Sequence, residues 1–344
     1  MPQLTLKKLA EITDSELHGD KDYSVSSIGD LRSAKQGDLS FLSSNKYRKY
    51  LQSTKATAVI LNTNDLKLCP VSALVNENPY LAYAKAAKAL IGESVPKKGI
   101  HTTSVIEDSA KIHSDSEIGP QVYIGKNVLI EAGVKIGPGC VIQDDSCIKE
   151  NSQLVANITI GEKTIIGKNC LIHPGAVIGS DGFGFANNNG SWVRVPQLGG
   201  VVIGDEVEIG SCTTIDRGAI TNTIIEDGVK LDNLIHIAHN VHIGAHTAIA
   251  AKVGIAGSTK IGAYCTIAGA AGIAGHIDIA DKSHISGFTA VTKSLTAQGT
   301  YTSTIPAMPH EIWRKNFIRL KQLDEIFNRL KDLEGKKNDS DGKI

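Results

Sequence analysis

Four of the chain's eleven histidines lie within eleven residues, at His236, His239, His242 and His246. Imidazole titrates close to neutral pH, so a histidine in a suitable position can accept or donate a proton during catalysis. A histidine at a turn can equally stack on a neighbouring side chain or point into water. The cluster is therefore a candidate site, and the repeat around it decides which of the four histidines could react.

The histidines lie in a six-residue repeat, and three repeats make one coil of 18 residues. Residues 18 apart in the sequence are therefore expected to lie side by side. One coil after His239 comes Gly257, whose N–H could approach a ligand closely because glycine has no side chain. A base and an N–H donor about 5 Å apart suit acyl transfer, which needs proton removal and stabilisation of an oxyanion. Two coils after Asn240 comes His276, which places a second imidazole on the same edge.

Two other chemistries could use the histidine cluster. The chain has no Gly-x-Ser-x-Gly motif, so a covalent acyl-enzyme has no obvious nucleophile and direct attack by the acceptor fits better. Zinc is the competing possibility, with His242 and His246 as ligands, but no third ligand is convincingly placed. We therefore predict no metal and no cofactor.

The repeat itself places an aliphatic residue at every sixth position. The first run has thirteen consecutive members, from Ile106 to Ile178. A second run contains Ile203, Ile209 and Ile215, and a third extends from Ile225 to Val291. Neither the helical period of 3.6 nor the strand period of 2 produces this spacing. Each hexapeptide is expected to form one short strand and one turn, and three of them complete a triangular coil.

The predicted fold class is therefore mainly β, a left-handed parallel β-helix of hexapeptide repeats. Its hand is what similarity to known hexapeptide proteins implies, because the spacing alone does not set it. We predict a small N-terminal α/β domain at 1–100, the β-helix at 101–303 and a C-terminal helix at 304–344, disordered from Lys336. Residues 180–201 break the repeat and are predicted to form a loop, and 219–223 add four residues.

Composition excludes several classes of protein. The 36 basic and 36 acidic side chains balance, which argues against a general nucleic-acid surface. No stretch of about 18 apolar residues occurs, so we predict no integral membrane segment and a cytoplasmic protein. None of the six cysteines forms a Cys-x-x-Cys pair, and we expect them to be buried free thiols.

At these residues the sequence closely resembles a known family, the UDP-3-O-(3-hydroxyacyl)glucosamine N-acyltransferases of lipid A assembly in Gram-negative bacteria. The resemblance covers nearly the whole chain. Its motifs are Phe41-Leu42-Ser43-Ser44-Asn45-Lys46-Tyr47, Ile178-Gly179-Ser180-Asp181-Gly182-Phe183-Gly184-Phe185, Thr213-Thr214-Ile215-Asp216-Arg217-Gly218-Ala219, Leu231-Asp232-Asn233, Ile237-Ala238-His239-Asn240, Ile255-Ala256-Gly257-Ser258 and Gly275-His276-Ile277.

The resemblance implies a homotrimer with active sites between neighbouring β-helices. The donor would be a 3-hydroxyacyl chain carried as the phosphopantetheine thioester of acyl carrier protein, a co-substrate rather than a cofactor. The acceptor would be the 2-amine of a UDP-3-O-acyl-glucosamine. His239 matches the general base of the family and Gly257 its oxyanion N–H, while His276 and Asn233 match residues that orient the substrates.

The resemblance also assigns roles outside the histidine cluster. Phe41 and Tyr47 match the residues that hold the uracil ring. The family often has asparagine where Ser44 stands, and here Asn45 occupies the next position. The basic C-terminal helix would meet the acidic carrier protein or pack between subunits. Phe288 and Ala290 are candidates for closing the acyl groove, and we hypothesise that Ala290 admits a longer chain.

Two alternative functions remain. The sister O-acyltransferase acylates the 3-hydroxyl of UDP-N-acetylglucosamine, but it lacks a domain like residues 1–100. A non-catalytic solenoid that binds nucleotide sugars or protein partners is the other alternative. Loss of activity in His239→Ala with the trimer retained would exclude this scaffold alternative.

Overall fold

The computed structural model describes residues 3–92 and 98–340, with the backbone alone described for 334–340. The chain divides into two compact units, residues 1–95 and 96–344. The predicted domain end at 95–99 falls largely on residues 93–97, which lie outside the described residues.

The N-terminal unit is the small α/β domain that the sequence predicts. Its elements are β1 (Leu4–Thr5), α1 (Leu6–Thr13), β2 (Glu16–His18), β3 (Ser24–Val25), β4 (Ser27–Ile28), β5 (Asp38–Phe41), β6 (Ala58–Leu61), β7 (Ser72–Val75) and α2 (Pro79–Ile91), with 3₁₀ turns at Asn45–Ser53 and Thr63–Leu68. The five-stranded sheet has the order β2-β7-β6-β5-β4 and is parallel except for the β2–β7 pair. Both helices supply buried residues to the core over this sheet, including Leu6 and Leu90.

The second unit is built from very short strands, as the hexapeptide spacing predicts. They are β8 (Gly99–Ile100), β9 (Val105–Ile106), β10 (Lys111–Ile112), β11 (Glu117–Ile118), β12 (Tyr123–Ile124), β13 (Leu129–Ile130), β14 (Lys135–Ile136), β15 (Val141–Ile142), β16 (Cys147–Ile148), β17 (Gln153–Leu154), β18 (Thr159–Ile160), β19 (Ile165–Ile166), β20 (Leu171–Ile172), β21 (Val177–Ser180), β22 (Phe185–Asn188), β23 (Ser191–Arg194), β24 (Val201–Ile203), β25 (Glu208–Ile209), β26 (Thr214–Asp216), β27 (Thr223–Ile225), β28 (Lys230–Leu231), β29 (His236–Ile237), β30 (His242–Ile243), β31 (Ala248–Ile249), β32 (Gly254–Ile255), β33 (Lys260–Ile261), β34 (Thr266–Ile267), β35 (Gly272–Ile273), β36 (Asp278–Ile279), β37 (His284–Ile285), β38 (Ala290–Val291) and β39 (Thr300–Tyr301).

All of these strands except β22 and β23 form three parallel sheets, which are the three faces of a left-handed β-helix. Face 1 has the order β10-β13-β16-β19-β24-β27-β30-β33-β36, face 2 has β8-β11-β14-β17-β20-β25-β28-β31-β34-β37-β39, and face 3 has β9-β12-β15-β18-β21-β26-β29-β32-β35-β38. The second residue of almost every strand points inward, so the isoleucine columns form one continuous buried core. The predicted fold class is confirmed.

The coil length explains which residues lie side by side. His236 pairs with Gly254 and Gly254 with Gly272, an offset of 18 residues at each step. Thr214 pairs with His236, an offset of 22, so the extra residues near 219–223 bulge out of a single coil. The strand β8 belongs to the β-helix, which therefore begins slightly before the predicted residue 101.

The insertion predicted as a loop is more ordered than the sequence suggests. β21 continues to Ser180, β22 and β23 form an antiparallel hairpin at 185–194, and Val201 already belongs to β24. The sequence does not reveal this hairpin because its strands carry several asparagines and have no partner in the repeat.

After the last coil, the chain forms two helices, α3 (His310–Lys321) and α4 (Leu323–Ser340). The sequence predicts a single helix and a disordered tail from Lys336, whereas α4 continues to Ser340. Of the residues in this extension, Lys336 and Lys337 are good helix formers, whereas Asn338, Asp339 and Ser340 are not. Residues 341–344 of the predicted tail lie outside the described residues. No helix in the described part of the chain is both long and apolar enough to cross a bilayer.

All six cysteines are free, as predicted. Cys140, Cys170 and Cys265 are buried in the β-helix core. Cys212 is exposed at a corner with a positive φ of 57°, so the prediction that the thiols are buried is wrong there.

Candidate active site

His239 lies at the corner that follows β29, where the chain turns from face 3 to face 1. The next residue, Asn240, has a φ of 58°, a left-handed conformation that asparagine tolerates better than most residues. This turn places the two side chains together, with Nδ1 of His239 3.1 Å from Oδ1 of Asn240. The imidazole is half-buried, so one part of the ring is held by the protein while another can meet a substrate.

The orientation of the Asn240 amide is fixed by two neighbours. Its Nδ2 donates to the carbonyl oxygen of Thr221 at 2.9 Å, and its Oδ1 accepts from the N–H of Ala219 at 2.9 Å. Because Oδ1 can only accept, neutral His239 must carry its proton on Nδ1 and donate it to Asn240. Nε2 of His239 is then unprotonated and has no hydrogen-bond partner among the described residues, which is the state a general base needs.

Gly257 lies one coil beyond His239, as the 18-residue spacing predicts. The N–H of Ser258 donates to the carbonyl oxygen of His239 at 2.9 Å, which holds the two corners together. A Cβ atom on Gly257 would lie 2.7 Å from both Nε2 and Cε1 of His239. The backbone here therefore comes close to the reactive nitrogen only because residue 257 is glycine. Within the described residues, the N–H of Gly257 has no acceptor, so it is available to an oxyanion.

A buried carboxylate lies one coil before His239. Asp216 is 6% exposed; its Oδ1 accepts from the hydroxyl of Ser180 at 2.9 Å, and its Oδ2 lies 3.8 Å from Nε2 of His236. Burial raises the pKa of Asp216 above its ordinary value, although the Ser180 hydrogen bond and the charges of His236 and His239 act in the opposite direction. His239 therefore lies near a buried carboxyl group whose pKa is raised.

The segment that leads into the β22–β23 hairpin packs against His239. A Cβ atom on Gly182 would lie 2.8 Å from Cβ of His239, so this segment can pass the histidine only as glycine. The N–H of Arg217 donates to the carbonyl of Ser180 at 2.8 Å, and its Nε donates to the carbonyl of Gly199 at 2.7 Å. Arg217 thus fastens both ends of the insertion to the strand that carries Asp216.

The other predicted residues of the β-helix lie farther from the reactive nitrogen. His276 lies two coils along the His239 edge, in line with Asn240 and Ser258, and its N–H donates to the carbonyl of Gly257 at 3.1 Å. Asn233 lies at the preceding corner, before β29, and lines an open groove of about 700 Å³ on face 2. Within one chain, the structure therefore brings His276 to the edge that carries His239 and leaves Asn233 at a different corner.

The remaining histidines of the cluster have partners of their own. Nε2 of His242 lies 2.7 Å from Oε1 of Glu226, and His246 stacks on the ring of Tyr264 with centroids 5.1 Å apart. Among the residues that the structure describes, no group of three or more metal-ligating side chains converges. The geometry therefore gives no support to the zinc alternative.

A strip of small residues runs along the outer side of face 3, beginning beside the catalytic corner. His236, Gly254, Gly272 and Ala290 are consecutive in register on β29, β32, β35 and β38. A Cβ atom on Gly254 or Gly272 would meet nothing within 4 Å, so this surface is open. Ala290 lies at the far end of the strip, and Phe288 lies at the adjacent corner and is 73% exposed.

The N-terminal unit has a separate cavity that contains both predicted uracil-binding residues. The cavity, of about 290 Å³, is lined by Asp30, Leu31, Arg32, Phe41, Ser43, Tyr47, Tyr50 and Tyr80. Phe41 stacks on Tyr83 with ring centroids 4.0 Å apart and an angle of 17°. Neither Ser44 nor Asn45 is among the lining residues, whereas Ser43 is. The cavity therefore offers aromatic faces, serine and tyrosine hydroxyls, an arginine and an aspartate to a flat ligand.

Asp216, Ser180, Gly182 and the orienting role of Asn240 were not predicted from the sequence. The sequence nevertheless carries a signal for one of these contacts. Ile178, Ile203, Ile209 and Ile215 are the inward-pointing residues of four successive repeats, so Ile215 lies one coil beyond Ile178. Counting from this pair would have placed Gly179 beside Asp216, and a register shift between Ile178 and Ser180 pairs Ser180 with Asp216 instead. The orientation of the Asn240 amide has no counterpart in the repeat and required coordinates.

Comparison with known proteins finds relatives that match nearly the whole chain. Residues 22–89 match the family model described as UDP-3-O-(3-hydroxymyristoyl) glucosamine N-acyltransferase, LpxD, and residues 100–182 match the model of a GMPPB C-terminal domain. Two UDP-3-O-acylglucosamine N-acyltransferases from Coxiella burnetii, strains Dugway 5J108-111 and RSA 331, are each 43% identical over 96% of this chain and 97% of their own.

A solved structure shares the fold. The Arabidopsis UDP-N-acetylglucosamine acyltransferase superposes with a TM-score of 0.51 at 24% identity, covering 63% of this chain and 76% of that one. At this identity the likeness concerns the fold alone. The identity to the Coxiella proteins, over nearly the full length of both chains, decides the family. The chain is an acyltransferase that belongs to the UDP-3-O-acylglucosamine N-acyltransferase family.

Proposed function

We propose that the protein transfers a 3-hydroxyacyl chain from acyl carrier protein to the 2-amine of UDP-3-O-(3-hydroxyacyl)glucosamine in lipid A biosynthesis. The observation that carries the proposal is the pairing of His239 with Gly257, which places an unprotonated Nε2 and a free N–H at one corner. Family membership supplies the acceptor, because the relatives are named for UDP-3-O-acylglucosamine.

The proposed reaction is a direct attack. The amine nitrogen attacks the thioester carbonyl while Nε2 of His239 takes one proton from that nitrogen. The N–H of Gly257 stabilises the oxyanion of the tetrahedral intermediate, and Asn240 holds the imidazolium in place through Nδ1. The carbon–sulfur bond then breaks, and the proton on Nε2 passes to the departing thiolate, which leaves His239 as it began.

The surroundings of His239 support a route without a covalent acyl-enzyme. The hydroxyl of Ser180 donates to Asp216 rather than to an imidazole nitrogen. In the described part of the chain, Nε2 of His239 has no serine or cysteine as a partner. No resident cofactor is needed, because the thioester of the carrier protein's phosphopantetheine supplies the activated acyl group.

The remaining site residues are assigned to substrate binding. His276 and Asn233 orient the substrates, and both side chains are exposed, although Asn233 accepts from the N–H of Ser211 and donates to Asp232. Phe41 and Tyr47 hold the uracil ring in the aromatic cavity of the N-terminal unit. The strip from Gly254 to Ala290 accepts the donor's hydrocarbon chain, since it starts beside the catalytic corner and carries no large side chains.

The assembly and partners are also proposed. A homotrimer would complete sites between neighbouring β-helices and would cover apolar residues of α3 and α4 such as Trp313, Phe317 and Phe327, which are all exposed. The same helices carry Arg314, Lys315, Arg319, Lys321, Arg329 and Lys331, a basic set suited to an acidic carrier protein. Both substrates of this reaction are expected in the cytoplasm.

The decisive test is acyl transfer from 3-hydroxyacyl carrier protein to UDP-3-O-acyl-glucosamine, with wild type and His239→Ala compared. We expect product from the wild type and a rate at least about 10²-fold lower in the variant, with the oligomer intact. Similar rates from both proteins would remove His239 as the base. No product from an intact wild type would overturn the proposed reaction and favour the scaffold.

A further inference from the structure

The β22–β23 hairpin carries a cluster of exposed aromatic side chains. Phe183 is 86% exposed and Trp192 is 68% exposed, and Phe185 lies 5.0 Å from Phe183 in an edge-to-face arrangement. The two strands pair only with each other in the described sheets. This much apolar surface on a projecting element indicates a binding surface.

The root of the hairpin is rigid. Arg217 fastens both ends, and the side chain of Gln197 is buried against Gly182 and Gly184, where added Cβ atoms would lie 3.0 Å from Oε1 and 2.7 Å from Nε2. Nε2 of Gln197 also donates to the carbonyl of Val195 at 3.1 Å. An ion pair between Asp181 and Arg194 joins the strands at their base. The aromatic cluster is therefore held in a set position next to the catalytic corner.

The hairpin lies on the opposite side of His239 from the strip of small residues. In face 3 the strands follow the order β21-β26-β29-β32-β35-β38, and the hairpin leaves from β21 whereas Ala290 lies on β38. His239 follows β29, between the two. A donor chain on the strip therefore leaves the hairpin side of the histidine free.

The acceptor brings a second hydrocarbon chain to this corner. Its reacting amine and its ester-linked chain are on neighbouring ring carbons, so an amine beside Nε2 of His239 must be accompanied by an acyl chain. The acceptor's acyl chain must also be shielded from water by apolar side chains. The strip of small residues cannot do this while it holds the donor's chain.

We propose that Phe183 and Phe185, together with Trp192, bind the O-linked acyl chain of the acceptor. The hairpin thereby selects acceptors that are already acylated at the 3-position. This inference rests on the proposed function for the identity of the acceptor. It concerns binding of the acceptor's chain, so it can be tested without turnover.

The test is calorimetric titration of the acceptor, carrying either a long or a short 3-O-acyl chain, into the full-length oligomer. Wild type should bind the long-chain acceptor at least about tenfold more tightly. In the double variant Phe183→Ser, Phe185→Ser this ratio should fall towards one, with the affinity for the short-chain acceptor unchanged. Asn188→Ala, an exposed polar residue of the same hairpin, should keep the wild-type ratio.

A wild-type protein that binds both acceptors equally would overturn the inference, as would a double variant that keeps the preference. If the double variant loses affinity equally for both acceptors and dissociates in sedimentation velocity, the hairpin is a subunit contact and the inference is wrong. A wild type that binds the long-chain acceptor more tightly but transfers no acyl group would contradict the proposed reaction while supporting the binding site.

Discussion

The side-chain oxygen of Asn240 lies 3.1 Å from Nδ1 of His239 and is held there by the N–H of Ala219 and the carbonyl of Thr221. The four-residue expansion of the coil near 219–223 thus supplies the groups that orient Asn240. An irregularity that interrupts the repeat in the sequence is what fixes the tautomer of the proposed base.

Replacing Asn240 should expose this role in the pH dependence of the reaction. Asn240→Ala removes the acceptor for the Nδ1 proton, and we expect kcat/KM to fall roughly 10- to 100-fold. Asn240→Asp keeps an acceptor but adds a negative charge, which stabilises the imidazolium and should raise the pH at which activity appears by about one unit. Full activity in the alanine variant, or an unshifted pH–rate profile in the aspartate variant, would remove Asn240 as a positioning residue.

Gly257→Ala should inactivate the protein without unfolding it. The new Cβ would lie 2.7 Å from Nε2 and Cε1 of His239, so the imidazole must move and the N–H loses its access. We expect kcat to fall by roughly 10² or more, with little change in the melting temperature. Gly299→Ala is the matched control, because its Cβ would meet the Tyr301 ring only at 3.5 Å. Equal activity of the two variants would contradict the assignment.

Ala290→Met should shorten the acyl chain that the protein prefers in its donor. The methionine would project from β38 at the end of the strip and reduce its length. Rates with carrier protein loaded with a series of chain lengths would measure the preference. Val105→Met adds similar bulk to an exposed position at the other end of face 3 and should leave the preference unchanged. An unaltered preference in Ala290→Met would show that the strip does not set chain length.

Asp216→Asn should make the protein relatively more stable as the pH rises. Burial raises the pKa of Asp216, so the folded protein keeps a proton that the unfolded chain releases above its ordinary pKa of 3.8. Between the pKa of Asp216 in the unfolded chain and its higher pKa in the folded protein, increasing pH therefore lowers the free energy of unfolding of the wild type. The melting temperature of the variant minus that of the wild type should therefore be more positive at about pH 7 than at about pH 4. A difference that does not change with pH would contradict this account.

Phe41→Ala should weaken nucleotide binding by the N-terminal unit. The ring forms one wall of the aromatic cavity, and its stack on Tyr83 holds it in place. We expect the Kd for UDP to rise about tenfold in calorimetry, which corresponds to the loss of one stacking partner. Tyr23→Ala removes an exposed aromatic ring outside the cavity and should bind UDP as the wild type does. If both variants bind equally, the cavity is not the uridine site.

The fold was predictable because one residue type recurs at one spacing. Each buried isoleucine, such as Ile237, constrains its coil-mates at multiples of 18, so Gly257 could be placed beside His239 before any coordinates were known. Helix α2 also has a plain signal in the sequence, since its apolar residues have helical spacing and Asn78 caps it.

The parts that could not be predicted lie where the spacing fails. The Asp216–Ser180 pair joins residues on either side of the hairpin insertion, and the length of that insertion hides their proximity. The hairpin itself is held by Arg217 and Gln197. Their contacts do not recur from coil to coil, so the repeat does not predict them. The 3₁₀ turn at Asn45–Ser53 brings Tyr47 to the cavity. It lies outside the repeat, so the spacing does not predict it either.

The stacking of coils also limits how such a protein can change during evolution. A change of one or two residues that does not bulge out at a corner, as the extra residues near 219–223 do, would turn the isoleucine columns outward. Adding or removing 18 residues instead restores every column one step along the axis. The distance from Gly257 to the end of the strip at Ala290 can therefore change only in whole coils of about 4.8 Å. Coarse changes in substrate length require gain or loss of a coil, and point substitutions at positions such as Ala290 supply the finer adjustments between these steps.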